Sequence, residues 1–179
     1  MGAGPGRAAH SMQLSHNEAK LIAGVILADY ESERATTIEV LKAIPVGKEG
    51  YTPDLKSMSA LRLAFHIAAS EWYFLEAIHQ GSPPATHPEL PGSVHTAKDV
   101  IAWENERIPA QIENVKSLSG EALSRLIAFG ENRKVAGYSL LHLMLKHSVH
   151  HRGQLSVYLR PMGAAVPSIY GPSADTKVR

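Results

Sequence analysis

The chain has 179 residues, 44% of them apolar and 20% charged, with 18 Lys and Arg against 17 Asp and Glu, a formal charge of +1 and no cysteine. That length suits one domain able to bury roughly two-thirds of its unfolded surface. The near-neutral charge argues against a nucleic acid gripped through its phosphates. A mean hydropathy of -0.12 without an apolar run of about 18 residues argues against a membrane span. The absence of cysteine leaves His, Asp or Glu to hold any metal.

Residues 1–12 are rich in Gly and Ala and lack the apolar core of a signal peptide, so a disordered N-terminal segment is expected ahead of a domain over 13–179, in a cytoplasmic protein. Ser15 and Glu18 have capping-box spacing, and no proline follows until Pro45. A first helix over about 15–43 is expected, with Leu21, Val25, Ala28, Ile38 and Leu41 facing inward. Pro45–Pro53 reads as a loop. A second helix, Met58 to His79, carries Leu61, Phe65, Ala68, Trp72 and Leu75 on one stripe and stops at Gly81 before Pro83 and Pro84. Thr96 and Asp99 cap a third helix with Ile101, Ile108, Ile112, Val115 and Leu118 inward, in which Pro109 predicts a kink or a break. Ser119–Phe129 is expected to add a short helical piece and Gly130-Glu131-Asn132 a turn. The fourth main helix then spans about Ala136–Arg160, with Leu140, Met144, His147, His151, Leu155 and Tyr158 on one stripe and Pro161 and Gly163 at its end. With no strand-period segment of useful length, the fold class is all-α, a four-helix bundle.

His147 and His151 stand four apart on that last stripe, with Cβ atoms about 5–6 Å apart, so both rings can reach one ion. His66 on the second helix is the candidate third ligand. Three neutral imidazoles leave a coordination position open, as catalytic rather than structural sites do. The plainer alternative is a set of hydrogen-bonded or surface residues, since ten histidines make such a pair common by chance. Against it, bare imidazoles in an apolar interior must find partners. His150, about 60° round the helix from His147, could substitute as a ligand, whereas His142 at about 140° points elsewhere. His79, His87 and His95 read as exposed, and Trp72 and Tyr73 as core and cavity wall. Arg152 and Gln154 cannot both face inward; one is a contact to a ligand or substrate, or the two are a salt bridge and a surface amide. No phosphate loop, nucleophile elbow or Glu-x-x-His is present, and Glu31, Glu33, Glu71 and Glu76 look scattered rather than paired. Phosphoryl transfer, dinucleotide redox and di-iron chemistry are therefore disfavoured.

The run His147-Ser-Val-His-His151-Arg152-Gly153-Gln154-Leu155, continued to Gly163 and followed by Val166-Pro167-Ser-Ile-Tyr170-Gly171-Pro-Ser-Ala-Asp175, closely resembles the end of the DinB-like (DNA-damage-inducible, or YfiT-like) family. The setting of His66 agrees, and the resemblance extends from about residue 15 over essentially the whole chain. It implies an up-down-down-up four-helix bundle, a divalent metal ion, zinc or nickel, on His66, His147 and His151, and a homodimer. Members of the wider superfamily are similar to transferases and isomerases that use low-molecular-weight thiols. The resemblance thus implies a small-molecule substrate and a thiol cosubstrate, with neither nucleic acid nor membrane as partner. A metal-dependent enzyme, thiol-dependent transferase or hydrolase, is one expectation. A non-catalytic metal- or small-ligand-binding module is the other, because no nucleophile or general base is identifiable in the sequence.

Overall fold

The computed structural model describes residues 14–130 and 133–176, so the expected disordered segment 1–12 and two residues of the expected turn, Glu131 and Asn132, lie outside the described residues. Within them the chain forms α1 (His16–Lys42), α2 (Ala60–Gln80), α3 (Ala97–Ser117), a one-turn α4 (Gly120–Ser124), β1 (Leu126–Ala128), β2 (Lys134–Ala136) and α5 (Gly137–Leu159). The helix starts follow their caps. Ser15 Oγ accepts from the Glu18 N–H at 3.3 Å while Glu18 Oε2 accepts from the Ser15 N–H at 2.8 Å, and Thr96 and Asp99 repeat the exchange at α3. Gly81 ends α2 at φ 75, a conformation that a side chain would strain.

Two apolar clusters give the direction of each helix. One joins the C-terminal part of α1 (Val40, Leu41), the N-terminal parts of α2 (Leu63, Ala64) and α3 (Ala97, Val100) and the C-terminal part of α5 (Leu155, Leu159). The other joins the opposite ends, from Ala23 and Leu27 to Phe74, Leu75, Ile112, Leu140 and Met144. Helices α1 and α5 therefore run one way and α2 and α3 the other, an up-down-down-up bundle in which the long 81–96 connection returns the chain between two parallel helices. Helix α2 is the central member, with 13 of its 21 residues buried, so its apolar surface is wider than the single stripe expected.

Three expectations are corrected. The inner face of α1 is Ala19, Ala23, Leu27, Tyr30, Thr37, Val40 and Leu41, whereas Leu21 and Val25 are 69% and 65% exposed and Ala28 is exposed too. Alanines at the contact let α1 approach its neighbours, and hydropathy ranks the outward Leu and Val above them. Pro109 neither breaks nor splits α3, which runs unbroken to Ser117; the proline lies on the exposed face, where the Asn105 carbonyl it leaves unmatched is open to water. Finally, only Gly120–Ser124 of the segment 119–129 is helical, and Leu126–Ala128 pairs antiparallel with Lys134–Ala136. Ile127, fully buried, anchors this small hairpin to the core. A Cβ on Gly120 would stand 1.9 Å from the His16 carbonyl oxygen, so the close seating of α4 on the start of α1 requires glycine there.

Between the two apolar clusters lies a polar layer that every long helix enters: Arg34 and Thr37 of α1, Ser70 and Glu71 of α2, Glu104 of α3, and Ser148 and Arg152 of α5. The expected ligand histidines sit at one edge of this layer.

Candidate metal centre

His147 and His151 are one turn apart on the inward stripe of α5, and His66 faces them from α2, the helix packed alongside. The three rings meet with centroids 5.0 Å (His66 to His147), 4.6 Å (His66 to His151) and 4.3 Å (His147 to His151) apart. One nitrogen from each lies within 4.8 Å of the others, and all three rings are half-buried. His66 Nε2 and His147 Nε2 are 3.2 Å apart, close to the edge of about 3.3 Å that two nitrogens span around a tetrahedral zinc with bonds near 2.05 Å.

Burial, with the neighbouring imidazoles, pushes the His66 and His147 pKa values down to about 4, and burial also lowers that of His151. The rings are thus neutral at neutral pH, the state in which imidazole is a ligand. The His151 Nδ1–H donates to Gln154 Oε1 at 3.0 Å, which turns Nε2 toward the other rings. His147 Nδ1 is buried without a partner. The donor set, its neutrality and the spacing of its nitrogens fit a divalent ion of the zinc or nickel type.

The remaining histidines divide. His150 is exposed; its ring lies 4.9 Å from that of His151 but contributes no nitrogen to the group. His142 is exposed, as expected. His79 is half-buried rather than exposed. His87 is exposed yet belongs to the site: its ring lies 5.9 Å from His66 and 5.2 Å from Tyr73, and its Nε2 is 3.1 Å from the buried Ser70 Oγ. Its Nδ1–H donates to the Pro88 carbonyl, which leaves Nε2 to accept from Ser70. No spacing in the sequence could reveal this, because the 81–96 connection carries His87 back across α2. Trp72 and Tyr73 are half-buried; Trp72 packs on the apolar core, as expected, and Tyr73 lies against the rings of His87 and Phe129.

Both residues flanking His151 are engaged. Gln154 orients the ring, and Arg152, 1% exposed, forms an ion pair with Glu33 and donates to the Glu33 carbonyl at 3.1 Å. The Tyr170 hydroxyl accepts from Arg152 and donates to Glu33 Oε2 at 2.9 Å, so the tail beyond α5 is fastened to α1 immediately behind the histidines.

Nor are the carboxylates all scattered. Glu71 and Glu104, each 1% exposed, come together at the centre of the polar layer from α2 and α3. Tyr30 donates to Glu71 Oε2 at 2.7 Å, and Arg34 Nε meets Glu104 Oε1 at 2.7 Å without a straight hydrogen bond. Burial, reinforced by Glu71, outweighs Arg34 and pushes the Glu104 pKa up to about 8; burial raises that of Glu71 as well. The sequence concealed the pair because its members are 33 positions apart on different helices.

No described helix is long and apolar enough to cross a membrane. The sequence profile of the DinB family matches residues 12–177. The chain is 33% identical to the uncharacterized protein YjoA of Bacillus subtilis (strain 168) over 142 residues, 77% of this chain and 89% of that one. The crystal structure of the DinB-like YjoA superposes with a TM-score of 0.67 over 83% of this chain and 99% of that one. A DinB-like protein from Bacillus cereus ATCC 10987, 20% identical, superposes with a TM-score of 0.68 over 81% of this chain and 95% of that one, and shows the same fold.

Proposed function

We propose that this chain, which belongs to the DinB family, is a metal-dependent enzyme whose divalent ion, zinc or nickel, is held by His66, His147 and His151. The observation that carries the reading is the meeting of three half-buried, neutral imidazoles from two helices beside a groove of about 990 Å³, one wall of which is His66 itself. Among the described residues no fourth His, Asp or Glu joins the group, a donor count suited to a site that admits a substrate. An ion held there would supply a Lewis acid able to draw the proton from a water or a thiol at neutral pH.

The chain's own residues do the rest. Gln154 fixes the tautomer of His151, desolvation keeps His66 and His147 unprotonated, and His87, tied to Ser70, stacked on His66 and in contact with Tyr73, covers the approach from the 81–96 connection. Because the chain has no cysteine, a thiol transferase of this kind takes its thiol from solution; a hydrolase takes water at the same place. A homodimer in the cytoplasm, without nucleic acid, completes the proposal. Support for the dimer is the outward apolar face of α1 at Leu21 and Val25, 69% and 65% exposed.

Elemental analysis of untagged protein tests the core of the reading. About one divalent ion per chain is expected in the wild type and none in His66→Ala, with unchanged far-UV circular dichroism. Full retention of metal by that variant refutes the three-histidine centre. A count of three imidazoles plus one exchangeable ligand by X-ray absorption supports an enzyme; a fourth protein ligand refutes an open site. Sedimentation that finds only monomer removes the dimer.

A further inference from the structure

The groove beside His66 is bounded by the segment leading into α2 and by residues 87–90 of the following connection. Two cations line it. Arg62 lies one turn before His66 on the same face of α2, where the Cβ atoms of residues four apart are about 5–6 Å from each other, and Lys56 lies in the incoming segment. Neither side chain has an ion-pair or hydrogen-bonding partner among the described residues. Arg34, Lys42, Arg107, Lys116, Arg152 and Arg160 are each paired with a carboxylate, whereas Lys48, Lys98 and Lys146 are as free as these two; Arg62 and Lys56 differ from them in facing the groove. Glu89 is the one acid on the wall against Lys56 and Arg62, so the lining carries a net positive charge. Met58, Phe65 and Leu90 add an apolar surface, and Phe65 is fixed by an edge contact with Trp103 at 5.2 Å.

We propose that this groove binds an organic anion, a small molecule with a carboxylate on an apolar body, with Arg62 and Lys56 as the residues that select its charge. This deepens the proposed function, on which its placement of the reactive end at the three histidines rests. Arg62, one turn from His66, and Lys56, on the segment leading into α2, hold a carboxylate in the groove while the apolar body lies on Met58, Phe65 and Leu90. Arg62 offers the forked donor geometry that suits a carboxylate, and Lys56 a movable point charge. A neutral analogue of the same shape leaves both cations unmatched in the occupied groove, and that is the source of discrimination.

The full-length chain, loaded with zinc, is titrated calorimetrically at fixed low salt with ω-mercaptobutanoate and with ω-mercaptobutanamide, a pair that differs in charge and little in shape. The metal-free chain is titrated in parallel with hexanoate and hexanamide. The acid is expected to bind about tenfold more tightly than the amide, the value of one net charge-assisted hydrogen bond. In Arg62→Gln/Lys56→Gln that ratio is expected to fall toward one, with zinc content and amide affinity unchanged. Equal affinity of acid and amide in the wild type, or a ratio that survives the double substitution, overturns the proposal. If neither mercaptan binds the zinc-loaded chain while hexanoate binds in an Arg62-dependent manner, the metal reading fails and the anion groove stands. If hexanoate fails as well, both fall.

Discussion

Replacing Glu104 by glutamine removes a titratable proton from the layer of the bundle where two carboxyls are packed away from water, in exchange for a neutral side chain of nearly the same shape. In the wild type Glu104 holds its proton to about pH 8, while in the unfolded chain it releases it near its ordinary value of 4.5. Between those values the folded state binds more protons than the unfolded one, so stability falls as pH rises. Over the interval from pH 7 to pH 9 the release of that one proton lowers the stability by on the order of 1 kcal/mol. With a urea dependence of roughly 2 kcal/mol per molar, that is a loss of roughly half a molar in the unfolding midpoint. This interval avoids His66 and His147, which titrate near 4, and Tyr30, whose pKa burial and Glu71 hold well above 10. Glutamine keeps an oxygen for Arg34 and offers an N–H toward the unpartnered Glu71 Oε1, so Glu104→Gln is expected to flatten the decline and to be more stable than the wild type at pH 9. Because the two carboxyls titrate as a unit, Glu71→Gln is measured beside it, with the same sign of effect on the slope. Urea unfolding followed by circular dichroism at three pH values decides the matter. A wild type whose midpoint is constant or rises from pH 7 to 9 refutes the buried protonated carboxyl, as does a Glu104→Gln protein that is weakened equally at every pH.

Depressed histidine pKa values have the opposite sign: between 4 and 6.5 His66 and His147 take up protons in the unfolded metal-free chain and not in the folded one, against the contribution of Glu104, so on going from pH 6.5 toward 4 the melting temperature of the metal-free wild type is expected to lose more than that of His66→Gln/His147→Gln, and zinc is expected to be retained to about pH 5 in equilibrium dialysis. Release centred near pH 6.5 would contradict the desolvated centre. Gln154→Leu frees His151 Nδ1 and is expected to weaken zinc binding by about 10–100-fold in a chelator competition while leaving the melting temperature of the metal-free protein unchanged. Gly120→Ala places a methyl group against the His16 carbonyl and should cost about 1–3 kcal/mol, read as a lowered midpoint in urea.

Much of this protein was legible locally. Ser15 with Glu18 and Thr96 with Asp99 marked helix starts because a cap is a transaction among residues three apart, and Gly81 marked a stop because its backbone conformation belongs to that residue. The α5 stripe, His147 and His151 included, could be read because helical period alone places residues four apart on one face. His66 could be nominated from its apolar setting on α2. What surrounds these residues required the packed molecule. Alanines, rather than Leu21 and Val25, line the inner face of α1 because contact distance to α5 and α3 selects small side chains, and an isolated helix carries no record of its neighbours. Residues 126–128 became a strand by pairing with 134–136. Glu71 with Glu104, Arg152 with Glu33 and Tyr170, and His87 with His66 are contacts between residues 18 to 119 positions apart or on different elements. Such pairs form only when burial of the two apolar clusters brings the polar layer of each helix to the same height, and no one-dimensional pattern contains that height.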